Sequence, residues 1–132
     1  MAIIYSTRRF FIIKTIFINK YLEKIKTHII EKGFDFIGNR DKNAKFMQEY
    51  GFKKQDIEDI LLDLNKEHHI GGPENDHNKT LEGDIWKFRY GLELDKDDII
   101  NIYIKIRYNP PEELVCISFH EDELFEIGRA HV

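Results

Sequence analysis

Three short segments in the C-terminal half of the chain place polar residues at every second position. Lys87 and Arg89 lie in Ile85 to Tyr90. Tyr103, Lys105 and Arg107 lie in Ile99 to Tyr108, and Ser118 and His120 in Leu114 to His120. If the segments are strands, alternate side chains share a face, so these seven residues line one side of a sheet. No carboxylate falls on that side within the three segments, although the chain carries 24 acidic and 20 basic residues. Such a face suits cleavage of single-stranded RNA through its own 2′-hydroxyl. That reaction needs a base for the 2′-OH proton, cations for the pentacoordinate phosphate, and an acid for the leaving 5′ oxygen. It requires no metal or cofactor.

The residue types divide among those roles. Histidine changes charge near neutral pH, so His120 can serve as base or acid. Tyr103 can share in proton transfer or stack on a base. Lys105 and Lys87 can stabilise the developing charge, and Arg89 and Arg107 can hold phosphates, with Ser118 as a further substrate contact. The same pattern also fits a plain solvated face. Against that stands the rule that like charges opposed across strands are destabilising, so a solvated face would interleave acids.

The elements that must position this face follow from periodicity. Tyr21, Leu22, Ile25, Ile29 and Ile30 recur at helical spacing until Gly33;. Phe34-Asp35-Phe36-Ile37 reads as a short strand. A second helix is expected over Asp41 to Tyr50, with Ala44, Phe46, Met47 and Tyr50 inward and Gly51 as terminator;. A third runs from about Lys54 to Asn65, carrying Ile57, Ile60, Leu61 and Leu64 on one stripe;. A loop, Gly71 to Asn78, precedes the three alternating segments. Turn-rich stretches, Gly91 to Asp98 and Asn109-Pro110-Pro111, separate them. Trp86, Phe88 and Tyr90, then Ile102, Ile104 and Ile106, then Val115, Ile117 and Phe119 are the expected core side. The expected fold is α+β, with N-terminal helices packed on a small antiparallel sheet of at least three strands.

At 132 residues the chain fits one domain, and 42% hydrophobic residues suffice for a core;. The formal net charge of −4 runs against a nucleic-acid partner, so the argument rests on where the cations fall;. The lone Cys116 lies in an apolar run and reads as a buried core residue, and a cytoplasmic setting is expected;. Arg8-Arg9 followed by Phe10 to Ile18 faintly imitates a signal peptide. Lys14 interrupts it, no small-residue cleavage site follows, and it is too short to span a bilayer;. Residues 1–19 are therefore expected to be a leader or an extra N-terminal element, 20–127 the domain, and 128–132 a tail. His68, His69, His77 and Asp76 are close in sequence but match no standard zinc spacing, so no metal is expected;.

The order of pieces resembles a known family. From about Asn43 to Asp122 the chain has a helix ending in DILLDL, a loop containing Gly, Asp and His, then DIWKFRY, NIYIKIRY and LVCISFHED. This is similar to the MqsR toxins, mRNA interferases of type II toxin–antitoxin systems with a RelE-like fold. In that family a Trp-containing strand precedes one of the form [VI]-Y-[LI]-K-[IV], and the last strand ends in [VI]-S-F and a basic residue. The resemblance implies roles for Tyr103, Lys105, His120 and Lys87, and suggests that His69 flanks the active face. It also implies mRNA as substrate, a protein antitoxin from an adjacent gene, and no membrane. His120 stands where better-known members have Lys, and Lys87 where they have Gln. Their Tyr-Lys pair after the third helix is replaced here by His68-His69. A non-catalytic interaction protein, a phage-encoded inhibitor or a degenerate toxin using the polar face for docking, is the competing class.

Overall fold

The computed structural model describes residues 2–75 and 82–122, with side chains from 14 onward. Asp76, His77 and the 128–132 tail lie outside the described residues. The helical half follows its periodicity. α1 (Ala2–Lys32) buries Ile18, Leu22, Ile25 and Ile29, spaced three or four apart along one stripe;. Ile30, expected inward, sits one position beyond that stripe and is 74% exposed. The helix stops at Gly33, whose φ of 77° lies in the left-handed region and whose N–H still donates to the Ile29 carbonyl;. The boundary expected between residues 19 and 20 falls inside this continuous helix, and Ile18 belongs to the core.

β1 (Asp35–Phe36) is a two-residue strand. α2 (Asp41–Tyr50) ends at Gly51 as expected, and α3 (Lys54–Asp63) buries Ile57, Ile60 and Leu61, with Leu64 just beyond it. A single 3₁₀ turn, Lys66–His68, then leads into β2 (His69–Asn75). The stretch expected as a loop from Gly71 is thus an edge strand as far as Asn75. It approaches β3 closely at Gly72, where φ is 88° and a Cβ would collide with the Ile85 carbonyl.

β3 (Asp84–Asp95), β4 (Asp98–Asn109) and β5 (Glu113–Glu121) complete the sheet in the order β1-β5-β4-β3-β2. β1 pairs parallel to β5, and the remaining pairs are antiparallel. Most of Gly91 to Asp98, expected as turn, is strand. β3 and β4 extend as one long hairpin to the Asp95–Asp98 pair. The fold is α+β, with the helices N-terminal to most of the sheet.

The core lies between the helices and one sheet face. Trp86, Phe88, Ile102, Ile104, Ile106 and Phe119 are nearly inaccessible there, and Tyr21 of α1 stacks on Trp86 with centroids 3.5 Å apart. Each such side chain contributes roughly 1.5–3 kcal/mol by leaving water. Cys116 is buried in this core, and burial pushes its thiol pKa up.

One register shift changes β5. Lys105 pairs with Ser118 but Ile106 pairs with Cys116, so Ile117 is an extra residue, a β-bulge;. Strict alternation puts Val115 and Ile117 on the core side with Phe119. Instead the bulge inverts the parity, and Leu114, Cys116 and Phe119 face the core. Val115 and Ile117 join Ile85 in a second small apolar cluster, with Ile37 packed against it.

Candidate active face of the sheet

The antiparallel register assembles the polar face in two cross-strand rows. Arg89 stands opposite Tyr103, which stands opposite His120. Lys87 stands opposite Lys105, which stands opposite Ser118. Six of the eight residues expected from sequence thus lie in adjacent positions across three strands. The bulge at Ile117 keeps Ser118 and His120 in line with Lys105 and Tyr103 after the parity change.

The Tyr103 and His120 rings lie 5.6 Å apart between centroids, at 34° to each other. His120 Nδ1 is 2.9 Å from the Glu121 carbonyl oxygen. A carbonyl can only accept, so Nδ1 carries a proton and, in the neutral ring, Nε2 bears the lone pair. Burial is the largest influence on the Tyr103 phenol and raises its pKa. Lys87 opposes the shift, while Glu74 and Asp122 add to it. Tyr103 is therefore a proton donor at neutral pH rather than a base.

Counter-charges come from elements that the strand pattern did not include. Glu74 of β2 bonds Lys87 at 2.6 Å, and that bond raises the ammonium pKa against the opposing effect of burial. It offsets the repulsion expected between Lys87 and Lys105, which face each other directly;. Asp122, just past β5 and 5% exposed, accepts from Arg89 Nε at 2.6 Å. The longer strands also place Glu93 and Glu113 on this side. The expectation of a face without carboxylates therefore holds only for the shorter segments. Lys105 has no ion pair among the described residues.

Of the two other expected substrate contacts, Arg107 keeps to this side but is buried in an ion pair, and His69 is elsewhere. Arg107 is 7% exposed and reaches the Glu113 carboxylate through Nη2 at 3.0 Å and the Glu82 carbonyl through Nη1 at 3.2 Å. It lies on the same side of the sheet, one row beyond Lys87, Lys105 and Ser118, opposite Ile85 and Val115 and beside the small apolar cluster. His69 pairs with Phe88 on the helix side of the sheet. Its ring packs on Trp86 and Phe88, and Nε2–H donates to the Gly72 carbonyl at 2.9 Å. It does not flank the polar face. Its neighbour His68 accepts from the Asn65 N–H through Nδ1 and packs its ring on Tyr90.

Asn43 is a site-building residue that the apolar stripe of α2 does not reveal. It is 1% exposed. Its amide accepts from the Phe119 N–H at 2.9 Å and donates to the Ile117 and Ile37 carbonyls, each at 2.9 Å. The side chain thus bonds the edge of β5 where β1 has ended and pins α2 beside His120. Polarity within an apolar spacing is the only trace of this in the sequence.

No family model, curated protein or solved structure matches the chain. No helix among the described residues is long and apolar enough to cross a membrane.

Proposed function

We propose that the chain is an endoribonuclease, an mRNA interferase toxin that cleaves single-stranded RNA by metal-independent attack of the 2′-hydroxyl. The observation that carries this reading is the Tyr103–His120 pair with Lys105 one register position away on the same face. His120 Nε2 takes the 2′-OH proton as the 2′ oxygen bonds to phosphorus. The phosphorus–O5′ bond breaks, and the Tyr103 phenol supplies a proton to the departing oxygen. A 2′,3′-cyclic phosphate and a 5′-hydroxyl remain, and solvent returns both side chains to their starting states. Lys105, with Lys87 behind it, stabilises the charge on the pentacoordinate phosphate. Arg89 and Ser118 orient the chain around it.

The ion pairs of Lys87 and Arg89 favour a second reading, a face that docks a protein without catalysis, because preset pairs leave less charge for phosphate. The likeness to MqsR toxins supports the first reading, and with it an antitoxin from an adjacent gene and a cytoplasmic site of action. Induced expression in bacteria tests it, with growth and mRNA integrity followed beside His120→Ala. Growth arrest and fragmented mRNA with the wild type alone are expected. A soluble, harmless wild type with whole mRNA would overturn the ribonuclease reading and leave docking.

A further inference from the structure

We propose that Gly91 and Asn101, which face each other across β3 and β4, form a nucleobase subsite in which Asn101 reads an adenine next to the cleaved phosphate. The identity of the ligand rests on the ribonuclease reading above. The two residues stand one row beyond Arg89, Tyr103 and His120, on the same side of the sheet. Two residues along a strand cover roughly 7 Å, so the row adjoins the reacting pair.

The first observation is a glycine that the fold does not need. Gly91 lies inside β3, where the register against β4 runs unbroken from Asp84 to Glu93. Its φ is not in the left-handed region, which the chain's other strained glycines do occupy. A Cβ there would meet Ile99 Cγ2 at 3.6 Å and Asn101 Oδ1 at 3.7 Å, both ordinary contacts. Bulge, turn and close backbone approach are thus absent as reasons. Glycine inside a strand otherwise marks a place where a ligand comes close to the backbone. Gly91 is exposed, so its bare backbone is a flat floor open to solvent.

The second observation is what borders that floor. The Asn101 carbonyl accepts from the Asp122 N–H at 2.8 Å, which fixes this position of β4. Its side-chain amide stands at the edge of the floor, half-buried. An amide offers one acceptor and two donors in one plane, and asparagine pairs in this way with N6–H and N7 of adenine. Beyond it Ile99, 51% exposed on an otherwise polar face, gives a ring an apolar contact.

The charge along the face gives the nucleotide a direction. Lys87 and Lys105 stand on one side of the Tyr103 row, and Glu93, opposite Ile99, lies beyond Asn101 on the other. A phosphate is drawn to the lysines and repelled by Glu93, whereas an uncharged base tolerates the row between.

The test uses 2′-deoxy dinucleotides, which cannot be cleaved by 2′ attack, with binding followed by NMR. One base is thymine and the other adenine, guanine or thymine, in both orders. In one order the adenine form should bind the wild type roughly tenfold more tightly than the all-thymine form. Asn101→Ala should lose that preference. Asn101→Asp, nearly the same in shape, presents acceptors only and should favour guanine, whose N1–H and N2–H both donate. Gly91→Ala should weaken the adenine form without lowering the urea midpoint, because the methyl fits the sheet but covers the floor. Ratios between ligands are read, so losses common to all of them cancel. Urea denaturation checks that each variant is folded, and Asn101→Ser replaces Asn101→Ala if that protein is not. No preference in the wild type, or a preference kept by Asn101→Ala, overturns the subsite, as does a Gly91→Ala protein that binds like the wild type. If the wild type cleaves no RNA but Asn101→Ala loses the preference, the subsite stands and the ribonuclease reading falls. If RNA is cleaved and Asn101→Ala keeps the preference, the reverse holds. If the wild type neither binds a dinucleotide nor cleaves RNA, both fall.

Discussion

Tyr103 and His120 face each other across β4 and β5, with ring centroids 5.6 Å apart and Nδ1 of the imidazole held on the Glu121 carbonyl. The pair therefore joins a lone pair on Nε2 to a phenol kept protonated by burial. Neither ring fills the core, so changing either should leave the fold intact. His120→Ala should lower the cleavage rate by roughly 10²–10⁴-fold, the usual worth of a positioned proton-transfer group. Tyr103→Phe should approach that loss if the hydroxyl moves a proton, and cost far less if the ring only stacks. Rates on a defined RNA, beside circular dichroism of each variant, decide this. Full cleavage by His120→Ala would remove the residue from the mechanism.

Lys105 and Arg107 are neighbours in one alternation, yet the structure gives them different work. Lys105 is half-buried beside Tyr103 and has no ion pair among the described residues, whereas Arg107 is buried against Glu113. Lys105→Ala should cost about 10²-fold in kcat with little change in stability. Arg107→Ala should instead destabilise by about 1–2 kcal/mol, less than for a fully buried pair because Glu113 is partly exposed;. Its folded fraction should cleave normally. A normal melting curve with lost cleavage for Arg107→Ala would return that residue to the site.

The limit of legibility lies at Ile117 and at the burial of Arg107. Period-two spacing suffices to place Lys87, Arg89, Tyr103, Lys105, Arg107, Ser118 and His120 on one side, because each lies in a segment whose apolar partners fix the parity, though it does not show that Arg107 is buried against Glu113;. It fails before Ile117, where an inserted residue turns Val115 to the other face. An insertion has no composition mark in a run that is apolar throughout. His69 and Glu74 escaped for a related reason. β2 contains Gly71, Gly72 and Pro73 and has two register shifts against β3, so its sequence has the look of a loop. Asp122 and Glu74 become counter-ions only through pairings between distant parts of the chain, and no local pattern encodes those.

Asn43 should matter more to stability than any exposed residue of α2. Asn43→Ala removes three hydrogen bonds, leaves the Phe119 N–H without its partner at a buried edge, and leaves the Ile117 carbonyl only the longer Arg40 contact. The expected loss is about 2–4 kcal/mol, since unsatisfied buried groups cost more than a bond gains. Asn43→Asp keeps the acceptor for Phe119 but cannot donate to either carbonyl, so it should also destabilise. Urea midpoints with unchanged slope measure both. A midpoint within experimental error of the wild type would show that α2 is held by Phe46 and its aromatic neighbours alone.

Tyr90 gives the alkaline limb of stability a specific origin. Its hydroxyl donates to Asp63 at 2.6 Å, and its pKa is pushed up to about 12, by burial first and then by that bond. An unfolded tyrosine ionises near pH 10, so between those values the unfolded chain sheds a proton that the folded chain keeps. The contribution is full below pH 10 and is lost as pH rises through 12. Burial moves Tyr50, Tyr103 and Tyr108 in the same direction, so the whole chain should weaken above about pH 10;. Tyr90→Phe should cost roughly 0.5–1.5 kcal/mol near neutrality by losing one hydrogen bond. Its difference from the wild type should then narrow as the pH climbs. Urea midpoints of the two proteins from pH 7 upward make the comparison, and a constant difference across that range would mean that the Tyr90–Asp63 bond carries no proton-linked stability.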